Sequence, residues 1–450
     1  MVAEQAETAI TGGTAAEIAD SVRDLIESGI LVPGDPLPPV RVLARRLEVN
    51  RNTVVAAYGL LARSGAVIGQ GRAGTRVAEH TPMAQEGYVA TGTLRDVASG
   101  TLRDVGTGNP AAELIPDLST ALHAAVGRPV LYGEPVIDRG LEAWARDWIA
   151  PDVPSDFQLT VTSGAVDAVE RLLAQALTRD DAVALEDPCF LASIQVTRFG
   201  GYRAVAVPVD DEGMTVDGLR AALAQGVRAV IGTPRAQNPT GVSLSARRAE
   251  ALRAVLAEYP YVLVIEDDYY SLLSQRQFHS MVGPDHRRWA LVRSVSKFIG
   301  PDICLALVAS DAETASRLAM RLSPGTTWVS HLLQRTAHAL LSDAGTRAAI
   351  ARAGAHYAAR NEAFATRLAQ HGIETVAGDG INLWVGLPVF ARDVGERLKE
   401  RGWLVRTGDE FRLDPAAGPS RHLRLTIHEL DDSEAEALAV DLAEAVRAGR

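Results

Sequence analysis

Lysine is nearly missing from this chain of 450 residues: of 45 basic side chains all but Lys297 and Lys399 are arginine. A composition that uses arginine almost everywhere makes each surviving lysine informative, although a solvated surface charge is the ordinary role of that side chain. Cysteine is equally scarce. Cys189 and Cys304 stand far apart, which excludes a disulfide framework or a cysteine-built zinc site, so the expectation is a cytoplasmic protein with no metal. No run of eighteen apolar residues occurs, which excludes membrane-spanning helices. Glu4 and Glu7 stand where a secretory leader carries basic and then apolar residues, so export by that route is not expected. Aromatic residues make up only 5% of the chain while hydrophobic residues reach 47%, a globular composition with aliphatic cores that excludes wholesale disorder. At ~150 residues per domain the length implies two to four domains.

Acidic residues outnumber basic ones, 56 against 45, for a formal charge of −11. Against that background Arg41, Arg45, Arg46, Arg51, Arg63, Arg72 and Arg76 face a single acid, Glu48, between positions 41 and 76. A local excess of this kind is the electrostatic footprint of a nucleic-acid-binding module, because neutralised phosphates supply most non-specific affinity; a solvated basic face is the plainer alternative. The pattern narrows the choice. Ala15, Ile18, Val22, Leu25 and Ile26 recur at helical spacing and Gly29 closes the run, predicting a helix over 14–28. A Pro-rich turn over 33–39 leads to a short helix, 40–47, and a tight Glu48-Val49-Asn50 turn opens a helix over 51–63 that buries Val54, Val55, Tyr58 and Leu61. That is a helix-turn-helix in length and pattern. Residues 66–77 then alternate into and out of a glycine-rich turn, which predicts a β-hairpin.

A helix-turn-helix followed by a hairpin is a winged helix. The residues resemble the DNA-binding domain of the GntR regulators in four ordered pieces: Pro33–Pro38, Arg41–Ala44, Asn52–Val54 and Gly71–Thr75. The resemblance implies that Arg41, Arg45, Arg51, Asn52, Thr53, Arg72, Gly74 and Thr75 face a double-stranded operator. Beyond it lies a direct repeat, Gly92–Val97 and Gly100–Val105, readable as linker, as two short strands or as a local duplication, and too short for a solenoid. The expected division is a reader over 1–80, a linker over 81–106, and a large unit over 107–450 with a major part at about 150–330 and a smaller α+β part at about 331–450.

In the large unit, short β-rich runs alternate with helical segments: Gln158–Thr162, Ala182–Glu186, Tyr202–Pro208, Arg228–Gly232, Val262–Glu266, Trp289–Ser294 and Cys304–Val308. Alternation of this kind predicts a mostly parallel α/β sheet, whose ligands gather at the carboxyl ends of the strands. Thr162-Ser163-Gly164-Ala165 follows the first run and opens a helix, a phosphate cradle by its backbone N–H groups and dipole, though equally an ordinary helix start. Asn238-Pro239-Thr240-Gly241, Glu266-Asp267-Asp268-Tyr269 and Ser294-Val295-Ser296-Lys297 come after later runs. A buried Asp keeps a pyridine nitrogen protonated, Tyr and Asn can bond a phenolic oxygen, and a lysine amine can condense with an aldehyde. Those are the needs of pyridoxal 5′-phosphate (PLP).

Residues 107–445 resemble fold-type I PLP enzymes of the class I/II aminotransferase family. The resemblance implies Lys297 as the internal aldimine lysine and Asp267 as the pyridinium partner, with Asp268 one residue away leaving an ambiguity of register. It implies Asn238 and Tyr269 at the phenolic oxygen, Phe190 stacked on the pyridine, and Ser163, Gly164, Ala165, Ser294 and Ser296 at the phosphate. Arg424 matches an arginine that grips a substrate or effector carboxylate, a task suited to its bidentate fork, and Tyr132 a tyrosine that reaches the neighbouring subunit's phosphate. Lys399, inside a charged helical stretch, reads as surface. The family's phosphate-binding arginine is replaced by Cys304, expected on a buried strand beside Ile303 and Leu305; its absence is expected to weaken PLP binding by about 1.5–3 kcal/mol.

A GntR-type reader joined to an aminotransferase-like unit is the architecture of the MocR regulators. That resemblance implies a PLP-responsive regulator of vitamin B6 or amine metabolism, assembled as a head-to-tail homodimer, with an amine or amino acid as a further effector in some members. Two competing readings are a working aminotransferase with an accessory DNA-binding domain, and a repressor whose large unit is only a dimerisation scaffold.

Overall fold

The computed structural model describes residues 8–63, 66–69, 74–77, 97, 100–154, 156–322, 328–413 and 418–449. It divides into two compact units, 1–83 and 84–450.

In the first unit, Thr14 and Glu17 form a reciprocal capping box that starts α1 (Ala15–Glu27) by satisfying two otherwise orphaned N–H groups. Helices α2 (Val40–Arg46) and α3 (Arg51–Arg63) follow, the second begun by Asn50, whose side chain accepts from Asn52 N at 2.8 Å. Strands β1 (Val67–Gly69) and β2 (Thr75–Val77) pair antiparallel as the wing. Ile18, Val22, Leu43, Val54, Ala57, Leu61 and Val77 close the core, and Tyr58 donates its hydroxyl to Pro38 O at 2.7 Å. Val55 departs from expectation: it is 48% exposed. Val54, Ala57, Tyr58 and Leu61 share one helical face, and the next residue after Val54 falls about 100° away from it.

The second unit is built on an eight-stranded sheet in the order β4-β11-β10-β9-β8-β5-β6-β7. Its strands are β4 (Gln158–Thr162), β5 (Ala182–Asp187), β6 (Arg203–Asp210), β7 (Gly213–Met214), β8 (Ala229–Gly232), β9 (Leu263–Asp267), β10 (Trp289–Ser294) and β11 (Ala306–Ser310). The central pairs from β10 through β6 are parallel; β11 runs antiparallel to both of its neighbours, and β7 antiparallel to β6. Helices α4 (Ser119–Ala125), α5 (Arg139–Ile149), α6 (Ala165–Ala176), α7 (Leu191–Phe199), α8 (Val216–Ala224), α9 (Ala246–Leu256), α10 (Ser296–Ile299), α11 (Ala312–Leu322) and α12 (His331–Ser342) surround it. Both faces are covered, which is why the central strands read as unbroken apolar runs.

A smaller lobe contains α13 (Ala344–Gln370), β12 (Leu383–Gly386), α14 (Ala391–Glu400), β13 (Trp403–Leu404), β14 (Arg406–Thr407), β15 (His422–Leu425) and α15 (Asp432–Arg447), with the sheet order β12-β15-β14. Three expected boundaries move. Leu141 and Ile149, before position 150, and Ala337 and Leu341 of α12, after 331, lie in the large core. Helix α13 spans both cores, placing Ile350 and Tyr357 in the large one and Phe364 and Leu368 in the small one. The expected linker also ends early: β3 (Arg103–Asp104) pairs parallel with β13, and Val105 is buried in the small core. The lobes meet at two glycines. A methyl group on Gly378 would lie 2.7 Å from Gly241 O, and one on Gly241, at φ +73°, would lie 2.9 Å from Asp379 O, while Asp379 N donates to Gly241 O at 2.7 Å.

Candidate cofactor site and DNA-reading surface

The site gathers at the carboxyl ends of the central strands. After β4 the chain turns through Gly164 at φ +88°, a conformation that favours glycine, and Ala165 begins α6. Ser163 N donates to Asp167 Oδ2 at 3.1 Å, and the same carboxylate takes Arg171 Nε at 2.6 Å. Asp167 thus occupies part of the helix N-terminus that an anion would use. Cys304 lies against this turn: its Sγ is 3.4 Å from Ser163 O and would sit 3.5 Å from a methyl group on Gly164. The expectation of a buried strand at Cys304 is overturned. Cys304 ends the 3-10 turn Pro301–Ile303 in a left-handed conformation, φ 43° and ψ 52°, is exposed, and precedes β11, which starts only at Ala306.

Adjacent acids behave oppositely. Asp268 is fully buried and held by Arg235 through two bonds, 2.7 and 2.8 Å, and by Arg293 Nε at 2.8 Å. Burial pushes its carboxyl up, but the bonds and charges of the two arginines outweigh that and hold it low. Asp267, 5% exposed, has a buried Oδ1 with no partner among the described residues. Burial first, and then the charge of Asp268, pushes its pKa up to about 7. A buried carboxylate with an empty acceptor position matches a protonated ring nitrogen, so the geometry favours Asp267 over its neighbour for that role.

Around these acids stand the other expected residues. Phe190 follows β5, its ring parallel to that of Tyr269 within 8° at a centroid distance of 6.4 Å. Tyr269 donates its hydroxyl to Ala236 O at 2.6 Å. Asn238, 4% exposed, accepts from Arg424 Nη1 at 3.2 Å, and Arg424 Nη2 donates to Gly106 O at 2.7 Å. Phe411 lies 4.9 Å under the fully buried Arg424 guanidinium, a cation–π contact. Lys297 Nζ donates to Gly108 O at 2.5 Å, and Ser296 N to Ser294 Oγ at 3.2 Å. Tyr132 stands apart, 89% exposed with its ring 5.2 Å from Trp328, so within one chain it is a surface residue.

The chain adds residues that the sequence reading passed over. Gln237 donates to Pro188 O at 2.7 Å and to Glu186 Oε2 at 3.2 Å, and its own oxygen accepts from Thr240 N and Oγ1. It ties the Phe190 turn to the Asn238 turn. Glu186, buried beneath, is pushed to about pKa 7 by desolvation. Arg293 did carry a signal: a lone arginine inside the apolar run of β10 is a side chain that must find buried partners. It finds Asp268 and Asp152.

In the first unit Arg41, Arg45, Arg51 and Asn52 are exposed, Thr53 is half-buried at the start of α3, and on the wing Gly74 is exposed and Thr75 half-buried. Arg72 lies outside the described residues. Arg76, by contrast, turns inward and donates to Gly34 O at 2.8 Å.

Residues 14–77 match the family of bacterial regulatory proteins, gntR family, and residues 106–442 match aminotransferase class I and II. The chain is 44% identical to the vitamin B6 salvage pathway transcriptional repressor PtsJ of Salmonella typhimurium over 97% of its own length and 99% of that protein's. It is 26% identical to the pyridoxine biosynthesis transcriptional regulator PdxR of Corynebacterium glutamicum over 67% of each chain. Among solved structures, the kynurenine aminotransferase of Pyrococcus horikoshii superimposes with a TM-score of 0.70 at 21% identity, covering 80% of this chain and 95% of that one, a likeness of fold. No helix among the described residues is long and apolar enough to cross a membrane. The chain belongs to the MocR-type regulators, a gntR-family winged helix followed by an aminotransferase class I/II unit.

Proposed function

We propose that this protein is a DNA-binding transcriptional regulator that responds to PLP. The observation that carries the reading is a single chain bearing both an exposed Arg51-Asn52 pair at the start of a recognition helix and the buried carboxylate of Asp267 with an unfilled acceptor oxygen. The reader is residues 1–80 and the sensor is entered by β3, at Arg103. Arg51, Asn52 and Thr53 face the major groove, while Arg41, Arg45, Arg72, Gly74 and Thr75 contact backbone or groove edge. In the sensor, Asp267 holds the ring nitrogen, Phe190 lies on the ring, Asn238 and Tyr269 face its phenolic oxygen, and Ser163, Gly164, Ala165, Ser294 and Ser296 surround the phosphate. The bound group supplies an aldehyde that condenses with the Lys297 amine. Arg424 faces any carboxylate a co-effector brings.

Tyr132, together with exposed Leu131 and Val126, supports a homodimer in which the tyrosine completes the partner's phosphate site, head to tail. The relatives that act on vitamin B6 salvage and pyridoxine biosynthesis make genes of vitamin B6 metabolism the targets, read in the cytoplasm. Operator mobility shifts with and without PLP test the reading: operator affinity changes on adding PLP, and a variant lacking residues 1–80 binds no operator. An affinity indifferent to PLP sinks it. The retained set of Asn238, Asp267, Lys297 and Arg424 favours transamination as the second reading, which turnover of amino-donor and keto-acid panels would establish.

A further inference from the structure

Residues 105–109 leave the small lobe and cross the site, and the crossing is fastened at nearly every residue. Val105 O accepts from Thr426 N at 2.7 Å, and Gly106 N donates to Asp104 Oδ1 at 2.8 Å. Gly108, at φ +66°, donates its N–H to Thr426 Oγ1 at 2.9 Å. Two further carbonyls end on the two cations of the site: Gly106 O on Arg424 and Gly108 O on Lys297. Immediately before this stretch, β3 pairs with β13, and the chain before β3 is the covalent route to the reader.

We propose that residues 105–109 form a strap that reports the state of Lys297 and Arg424 to the DNA-binding unit. The proposal rests on the PLP-responsive reading above and deepens it by naming the relay. The lysine and the arginine are hydrogen-bonded to the strap's own carbonyls. When the Lys297 ammonium condenses with an aldehyde to a neutral imine, one C=N bond forms, two of its hydrogens leave with the carbonyl oxygen as one water, and the third leaves as a proton to solvent. The nitrogen can then no longer donate to Gly108 O. A carboxylate arriving at Arg424 competes in the same way for the donor now given to Gly106 O. Each event removes a fastening from a buried carbonyl, a loss that the strap relieves by moving. Thr426, which also donates to Asn382 Oδ1 at 2.9 Å, holds the other side of the strap.

Two substitutions at one position separate the strap from the chemistry. Lys297→Arg keeps a cationic donor for Gly108 O but cannot condense with PLP, whereas Lys297→Ala removes the donor with no ligand needed. Operator affinity is measured for the full-length proteins with and without saturating PLP, the wild type shifting by about 5-fold or more. The expected result is that ligand-free Lys297→Ala already has the operator affinity of PLP-loaded wild type, while Lys297→Arg differs from it and shows no change on adding PLP. Equal affinities for these two variants, in a wild type that does respond, overturn the strap and leave the regulator reading standing. A wild type whose affinity ignores PLP overturns both. Should Lys297→Ala fail to fold, Thr426→Val decides alone: the visible absorbance of bound PLP is retained, but the PLP-dependent change in operator affinity falls below about 2-fold, and an undiminished response overturns the proposal.

Discussion

The reader carries its proposed chemistry on the outside and the sensor carries it on the inside. Arg41, Arg45, Arg51 and Asn52 are exposed on a unit whose core they do not enter, whereas Asn238, Asp267 and Arg424 are buried within theirs. The difference teaches which substitutions can separate function from folding. A surface arginine can be removed at little cost to the fold, while a buried ion changes stability and ligand binding together.

The largest effect belongs to the residue beside the site. Asp268→Ala leaves Arg235 without its carboxylate and takes one of two from Arg293, so stability should fall by about 3–5 kcal/mol in urea unfolding. A loss under about 1 kcal/mol would mean the arginines find other acceptors and the inside-outside contrast is weaker than drawn.

Asp267→Asn should act in the opposite direction and with pH. Because the folded carboxyl titrates near 7 and an unfolded one near ~4, its contribution to stability is whole below that lower value and lost as pH rises through the upper one. The Asn variant escapes the loss, so without PLP its stability relative to wild type should improve by about 3 kcal/mol between pH 5 and pH 8. A gap that stays constant over that range would show that Asp267 is already ionised in the fold.

Arg51→Ala should weaken operator binding by about 1–3 kcal/mol with an unchanged melting temperature and unchanged PLP absorbance. Any fall in the melting temperature would erase the contrast from the reader's side. The smallest effect is expected at Cys304, which already occupies a left-handed turn at the surface, so Cys304→Arg meets open space rather than a packed strand. PLP titration should show a several-fold gain in affinity, up to about 10-fold; no gain in a folded variant would mean that another group already serves the phosphate.

These contrasts were unequally legible in the chain. The starts and ends of α3, β4 and β10 follow from local pattern, as does the placing of Ser163, Asn238, Asp267 and Lys297 just at or after strand ends, since alternation and strand-end position are local properties. What escaped depends on distant partners. Strand β3 is two residues long and exists only because positions 103 and 104 meet 403 and 404, so it read as linker. The choice between Asp267 and Asp268 turns on Arg235 and Arg293, 33 and 25 residues away. Cys304 misled because the apolar residues around it suggest a strand, while its own backbone turns left-handed after Pro301–Ile303.

The glycine pair at 241 and 378 acts as a spacer of minimum thickness. Because each residue's missing side chain is the room the other's backbone occupies, the approach of the two lobes at this point is limited by two hydrogen atoms and not by any side chain that could change rotamer. A single methyl at either position would meet backbone atoms within 3 Å and wedge the two lobes apart at this point. The tolerance of the whole clamp is thus written in two positions that carry no chemistry of their own.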